Sequence, residues 1–343
     1  MSNAKAASIV VLNYNGLQHL AALLKHLAQQ TVREFELIFV DNGSHDNSVA
    51  FVEQTTREYG LDLQLILNER NLGFAPACNQ GIQVANSDWV VMLNNDTRPE
   101  PTWLEHLLAT PQAGAKVGMV ASKMLSAAKP TQIDSAGIAL DWMGIAWDWR
   151  GGEQDDPQEQ QLQEIFGPCG GAALYAKQLL LDLGGFDADF FAYLEDVDLA
   201  WRARLAGWRC LFQPQARVLH AHSATLGDQS PFKRFLLGRN KVWLLAKNYP
   251  NPWFRRYLPL IMGYDLMAVT YGAARRRDWA SLQGRLAGLR GLPAMLAKRR
   301  VIQQKWQAVE NWEPFIAPLE PPWAISKRYA HLEKQHDPPL DRS

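Results

Sequence analysis

The first hundred residues repeat one pattern four times: a short apolar run that stops on polar, turn-forming residues. Ser8-Ile9-Val10-Val11-Leu12 stops on Asn13-Tyr14-Asn15-Gly16, and Phe35–Val40 on Asp41-Asn42-Gly43-Ser44. Leu63–Leu67 stops on Asn68-Glu69-Arg70-Asn71, and Asp88–Leu93 on Asn94-Asn95-Asp96-Thr97. Continuous β-branched runs of this kind suit strands buried on both faces of a parallel sheet. Helical patterns lie between them. Leu17, Leu20, Ala21, Leu24, Leu27 and Ala28 share one helix face, Asp46-Asn47-Ser48 can cap a helix from near Val49, and Gly73 to Ala85 reads as a third helix. Alternating strands and helices predict an α/β fold with a mostly parallel sheet and right-handed crossovers. Ligands of such sheets bind just outside the carboxyl ends of the strands. One polar strand end is ordinary turn chemistry, and NNDT alone also fits a turn capping the helix that begins near Trp103. Four polar ends on one sheet edge describe a crevice for a nucleotide-like ligand. No GxGxxG follows the first strand and no GxxxxGK[ST] occurs, which disfavours a dinucleotide fold and a P-loop.

From Val117 the pattern changes. Val117–Met124 reads as another strand, and Gly144 to Asp156, near Trp142, Trp147 and Trp149, as a long excursion of the kind that is usually functional. Phe166–Tyr175 brings glycines into a strand, as at a bulge or a close ligand approach. Leu194, Val197, Trp201 and Leu205 can share a helix face that leaves Glu195, Asp196 and Asp198 off the stripe. Acids at a helix start suit its dipole, and Asp198 with Arg202 is an ordinary i,i+4 pair. Adjacent Glu195 and Asp196 repel unless something nearby uses the charge. Trp208–Phe212 reads as a strand. His220 and His222, if on a strand, share one face; an isolated histidine there is ordinarily a solvated or core residue.

Composition adds limits. The chain has 343 residues, 47% hydrophobic and 20% charged, enough for a large core. Thirty-five basic and 35 acidic residues cancel, so no overall charge draws the chain to nucleic acid, which is not expected as a partner. Cys78, Cys169 and Cys210 form no CxxC pair, which points to a reducing compartment and away from a cysteine-rich zinc site. No charged-then-apolar leader precedes the first strand, so no secretory signal is expected.

SIVVLNYNG, VDNGS, NLGFAPACNQGI, LNNDT, GGFDADFFAYLEDVDLAWRARLAGW and VLHAHSAT occur in the order found in family 2 inverting glycosyltransferases. The chain resembles that family over roughly residues 8–250, and within it the rhamnosyltransferase-like branch of bacterial cell-surface polysaccharide synthesis. NLGFAPACNQGI with FFAYLEDVDL is the most specific part, and WLLAKNY after Arg239-Asn240 looks like the segment that follows the catalytic domain in that branch.

The resemblance implies a GT-A fold. It further implies transfer of a sugar, rhamnose favoured, from a dTDP- or UDP-sugar to a saccharide or polyprenyl-linked saccharide, using Mg²⁺ or Mn²⁺. It places Asn13, Asn15 and Asp41 around the nucleobase and ribose, and Arg70, Asn71, Gly73 and Asn79 along the donor. Asn94-Asn95-Asp96 takes the place of the metal-binding DXD motif, with its last acid kept as Asp96 and its first replaced by Asn94. His220 matches the histidine that completes the metal site, His222 has no match, and Asp196 matches the catalytic base. The chemistry requires a carboxylate to take the acceptor's proton and positive charge on the departing nucleoside diphosphate. The competing reading is a catalytically weak sugar-nucleotide-binding or scaffold subunit whose lost DXD acid reflects lost chemistry.

The expected organisation is a catalytic domain over 1–250, a helical, basic amphipathic extension over 251–315, and an extended or disordered tail over 316–343. Tyr257–Ala274 is apolar between arginines but slightly short for a span and interrupted by Pro259 and Asp265. Leu282, Leu286, Leu289, Leu292, Met295 and Leu296 interleave with Arg285, Arg290, Lys298, Arg299 and Arg300. Such a stripe either packs on the catalytic domain or lies on an anionic membrane. The expected location is cytoplasmic, peripheral on the inner face of the cytoplasmic membrane.

Overall fold

The four apolar runs become neighbouring parallel strands. In a computed structural model that describes residues 5–221, 230–305 and 313–319, β1 (Ala7–Asn13) lies between β2 (Phe35–Asp41) and β4 (Trp89–Asn94), with β3 (Leu63–Leu67) outside β2. The crossovers are α1 (Leu17–Ala28), α2 (Ser48–Tyr59) and α3 (Phe74–Val84). Side chains alternate across the sheet. Val10, Ile38, Val40 and Met92 pack on the α3 face, and Ile9, Val11, Leu37, Phe39, Val91 and Leu93 on the face covered by α1.

The second half extends the sheet. After β4 come β5 (Thr97–Pro99), α4 (Trp103–Ala109), β6 (Val117–Ser126), β7 (Ile133–Ser135), β8 (Ile138–Asp141), β9 (Ala146–Asp148), β10 (Gln163–Glu164) and β11 (Ala172–Ala176). Then follow α5 (Lys177–Leu183), α6 (Glu195–Leu205) and β12 (Arg209–His220). The sheet order is β10-β12-β6-β11-β4-β1-β2-β3, with β11 antiparallel to both β4 and β6, so the sheet is mixed and mostly parallel.

The structure departs from expectation in two places. The strand expected over 208–212 runs on to His220 through a register shift between Gln213 and Arg217. The excursion over 144–156 is built: β9 pairs with β8 in a small second sheet. The three acids do stand at the start of α6, where Glu195 and Asp198 are buried and Asp196 is half-buried. His222 lies outside the described residues.

The C-terminal helices are α7 (Pro231–Asn248), α8 (Trp253–Arg276), α9 (Trp279–Arg290) and α10 (Leu292–Lys305), followed by β13 (Ile316–Ala317), which pairs with β8. Only part of the leucine stripe is packed: Met295 is buried, and Leu282 and Leu292 are half-buried. α9 buries Gly284 and Gly288, α10 buries Met295, Arg299 and Ile302, and Leu286, Leu289 and Leu296 face out. The small residues win the interface because two helix backbones can then touch. A Cβ on Gly284 would stand 2.1 Å from the Phe235 carbonyl oxygen of α7. Among the described residues no helix is long and apolar enough to cross a membrane.

Candidate active site

The strand ends meet as polar turns locked to one another. Asn13 is buried at the end of β1. Its amide donates to Asp41 Oδ1 (3.1 Å) and Ser44 Oγ (3.2 Å) and accepts from Asn95 Nδ2 (2.7 Å). Asn15 accepts from the His45 N–H (2.8 Å), and Asp41 accepts from the Ser44 N–H (2.9 Å). Asn42 joins this shelf to the next. It donates to Asn71 Oδ1 (2.9 Å) and accepts from the Leu72 N–H (3.0 Å). Arg70 extends from this turn with an exposed side chain. Gly73 has φ +96°, and a Cβ there would stand 2.5 Å from the Phe191 ring, so only glycine lets the 190–194 loop close over this shelf. Asn79 stands apart. Both ends of its amide are bonded to the Phe186 backbone, at 2.7 and 2.9 Å, so it braces the Gly184-Gly185-Phe186 turn.

A second cluster forms because β12 pairs with β5, setting His220 opposite Thr97. Asp96 (7% exposed) and His220 (9%) thereby meet, with Nε2 3.3 Å from Asp96 Oδ1. The other ring nitrogen is 2.8 Å from Asp134 Oδ2 on β7, which reaches the site through β6. Burial alone would lower the imidazole pKa. Hydrogen bonds and charge from Asp134 and Asp96 outweigh it and push the value up to about 10. Asn94, which holds the backbone of Gly171 (2.8 Å), and Asn95, which faces Asn13, do not join this pair.

The donor set fits Mg²⁺ or Mn²⁺. It offers a carboxylate oxygen and an imidazole nitrogen, with the second imidazole nitrogen fixed by a carboxylate, as metal-binding histidines usually are. Among the described residues no three His, Cys, Asp or Glu side chains gather at metal-binding spacing. Asp96 and His220 are the two side chains that would hold a divalent cation here.

The third cluster is the acid pair at the start of α6. Asp196 is half-buried and accepts from the Gly170 N–H (3.0 Å) and Val197 N–H (2.8 Å). Gly171, next in the chain, bonds Asn94 at the end of β4, so the acid pair is tied to the strand-end shelf by one short glycine segment. Burial raises the Asp196 pKa, against the pull of those N–H groups. Glu195 is raised well above the carboxylate range by burial and by the Asp196 charge, and its Oε2 has no hydrogen-bond partner among the described residues. Burial and the Asp196 charge thus favour the protonated form of Glu195, while the donors lie on the oxygens of Asp196. The thiol of Cys169, raised by burial and by Asp148, Asp196 and Asp134, stays protonated beside them.

The backbone before Asp196 is strained. Phe191, Tyr193 and Leu194 have φ of 64°, 68° and 67°, and Asn240 of α7, fully buried, donates to the carbonyls of Phe190, Ala192 and Tyr193 (3.0, 2.9 and 2.7 Å). Asp198 is also fully buried. It takes Arg202 (2.7 Å), Lys247 (2.7 Å) and Asn248 (2.7 Å), and Lys247 also takes Asp187 (2.6 Å). The i,i+4 pair seen in the sequence is thus half of a buried network joining α6 to α7. Sequence reasoning missed Asp134 and Asn42. Asp134 has no spacing signal because two strands and a helix intervene between it and Asp96, whereas Asn42 stands in the VDNGS turn.

The sequence profile described as Glycosyl transferase family 2 matches residues 8–184. An N-acetylglucosaminyl-diphospho-decaprenol L-rhamnosyltransferase of Mycobacterium tuberculosis is 27% identical over 314 residues, covering 81% of this chain and 98% of its own. A pre-mycofactocin glycosyltransferase of the same organism is 27% identical, over 84% of this chain and 55% of its own. Among solved structures, a Pyrobaculum calidifontis mannosyltransferase with GDP-Man and Mn²⁺ superposes with a TM-score of 0.53 at 17% identity, over 97% of this chain and 86% of that one. GalNAc-T7 with UDP, GalNAc and Mn²⁺ gives 0.59 at 16%, over 90% and 59%. The fold is the GT-A glycosyltransferase fold, and the chain belongs to glycosyl transferase family 2.

Proposed function

We propose that this glycosyltransferase moves a sugar, rhamnose favoured, from a dTDP- or UDP-sugar to a lipid-linked saccharide, with inversion at the anomeric carbon. The observation that carries the reading is the pairing of two acid sites on one sheet edge: Asp96 with His220 at the strand ends, and Asp196 tied to the same edge through Gly170 and Gly171. Asn13, Asn15 and Asp41 hold the nucleoside, and Arg70, Asn71 and Gly73 lie along the donor. Asp96 and His220 would hold Mg²⁺ or Mn²⁺, which when bound supplies Lewis-acid charge to the leaving diphosphate. Asp196 takes the acceptor hydroxyl proton as the oxygen bonds to the anomeric carbon and the bond to the diphosphate breaks. Glu195, whose burial favours its protonated form, leaves that proton transfer to Asp196.

The test is a transfer assay with a panel of dTDP-, UDP- and GDP-sugars and a polyprenyl-diphosphate saccharide acceptor. One donor class should turn over with Mg²⁺ or Mn²⁺, stop in EDTA and recover on adding metal. Full turnover in chelator would remove the metal from the reading. Tight donor binding without turnover on any acceptor would favour the scaffold alternative.

Asp134 has its own expected result. Fixing the far nitrogen of a metal-binding histidine is commonly worth about 10–100-fold in metal affinity. Asp134→Ala should weaken Mn²⁺ binding by that factor in calorimetry, and Asp134→Asn, which keeps an acceptor oxygen, should lose less.

A further inference from the structure

The basic charge of this neutral chain is concentrated at its C-terminal end. Between residues 251 and 305 stand eleven Lys and Arg against two acids, Asp265 and Asp278. Both acids are already paired within the protein, Asp265 with Lys241 (2.7 Å) and Arg285 (3.3 Å), Asp278 with Arg234 (3.1 Å). Arg255, Arg256, Arg275, Arg277, Arg290 and Arg300 are exposed.

Apolar exposure is concentrated in the same helices. Of the fifteen large apolar side chains exposed among the described residues, ten fall between Leu260 and Val301. Met262 is 63% exposed, Leu266 66%, Tyr271 57%, Trp279 58% and Leu289 54%. α8 buries Ile261 but leaves Met262 and Leu266 in the open. In α9 the usual order of a soluble helix is reversed: glycines form the protein contact and leucines face away. Exposed apolar area on this scale marks an interaction surface.

We infer that the outer face of α8 to α10 lies on an anionic phospholipid bilayer, in the plane of its interface. The inference rests on the proposed lipid-linked acceptor and names the surface from which that acceptor is taken. Apolar side chains enter the headgroup boundary, Tyr271 and Trp279 sit at interface depth, and the arginines meet anionic headgroups. The face is connected to the site through one helix. α9 packs on α7 at Arg239 and Val242, and Asn240 of α7 holds the loop before Asp196.

The test is sedimentation of the full chain with phosphatidylcholine vesicles and with phosphatidylcholine/phosphatidylglycerol vesicles at about 70:30. The protein should pellet with the anionic vesicles, less with the neutral ones, and be partly released by salt. A Leu266→Glu/Trp279→Glu variant and an Arg275→Glu/Arg277→Glu variant should each lose at least about tenfold in vesicle affinity. Both should keep the parent's melting temperature and its transfer to a soluble acceptor analogue. No pelleting with either vesicle overturns the inference, as does binding that neither variant weakens. A dimer in light scattering that Leu266→Glu/Trp279→Glu converts to monomer, without vesicle binding, would assign the face to a second copy. Vesicle binding is read without turnover, so its failure leaves the transferase reading standing, and failure of transfer leaves the membrane result intact.

Discussion

Asp196→Asn is expected to cut sugar transfer by about 10²–10⁴-fold, the usual contribution of a positioned base, while nucleotide-sugar affinity stays within about twofold. The substitution keeps the volume and the oxygen that accepts from the Gly170 N–H, and gives up the acceptor toward the Val197 N–H. It removes the ability to take a proton. The position is held at a cost. Three non-glycine residues just before it sit in the left-handed region, each strained by roughly 1–3 kcal/mol. Asn240 and the Ala75 N–H, which donates to the Phe191 carbonyl (3.1 Å), hold that backbone in place. The parent's rate should rise with pH as the acid pair loses its first proton and Asp196 becomes charged, and that limb should lie above the ordinary aspartate value, since burial raises the Asp196 pKa. Stability runs the other way. A carboxyl whose pKa is raised on folding supports the fold below its unfolded value and withdraws support as pH climbs through the folded one. Asp196→Asn has no charge to bury, so it should be more stable than the parent at about pH 8, with the gap closing toward about pH 4. Loss of donor binding together with activity, or a variant less stable than the parent at both pH values, would make Asp196 structural.

How much of this was legible in the chain depends on the range of each contact. The first four strands are readable because each is a local run with a local stop; β1, β2 and β4 are buried on both faces, whereas β3, at the sheet edge, is only half-buried. The meeting of Asp96 with His220 was not local. It depends on β5 adding to the far end of β12, and only family resemblance pointed to it. Asp134 was invisible for the same reason. Asn79 was assigned to the donor because its motif matched, whereas the folded chain commits its amide to Phe186. In the C-terminal helices, leucine periodicity leaves open a packed face or a membrane face, and Gly284 and Gly288, four residues apart, are the packing signal. With helix backbones in contact, large side chains have no room at the interface and are turned outward. The i,i+4 reading of Asp198 with Arg202 was correct yet incomplete, because Lys247 and Asn248 come from a helix some fifty residues later.

That completed network supports the second large expectation. Lys247→Met should destabilise the protein by about 3–5 kcal/mol, the range for breaking a buried ion pair by removing one partner. Lys247 is 3% exposed and Asp198 fully buried, so water cannot replace the lost ammonium. Burial opposes the Asp198 charge, but Arg202 and Lys247 outweigh it and hold its pKa below the usual 3.8. Asp187 is held down in the same way by Lys247 and Lys298 against burial. A depressed carboxyl contributes stability above its unfolded pKa and loses it as pH falls through the folded value. The penalty of Lys247→Met should therefore be full at neutral pH and shrink in acid, as Asp198 and Asp187 take up protons. Urea unfolding at several pH values measures this. The contrast is Lys5→Met at the exposed pair with Asp62 (2.6 Å), where a surface ion pair is worth at most about 1 kcal/mol. Equal losses at the two lysines would mean that the network adds nothing beyond a surface pair. A larger loss at Lys247, accompanied by slower transfer in protein that is still folded, would mean that the network also sets the position of α6. Asp196 is two residues from Asp198 on that helix, so a shift of the buried acid carries the proposed base with it.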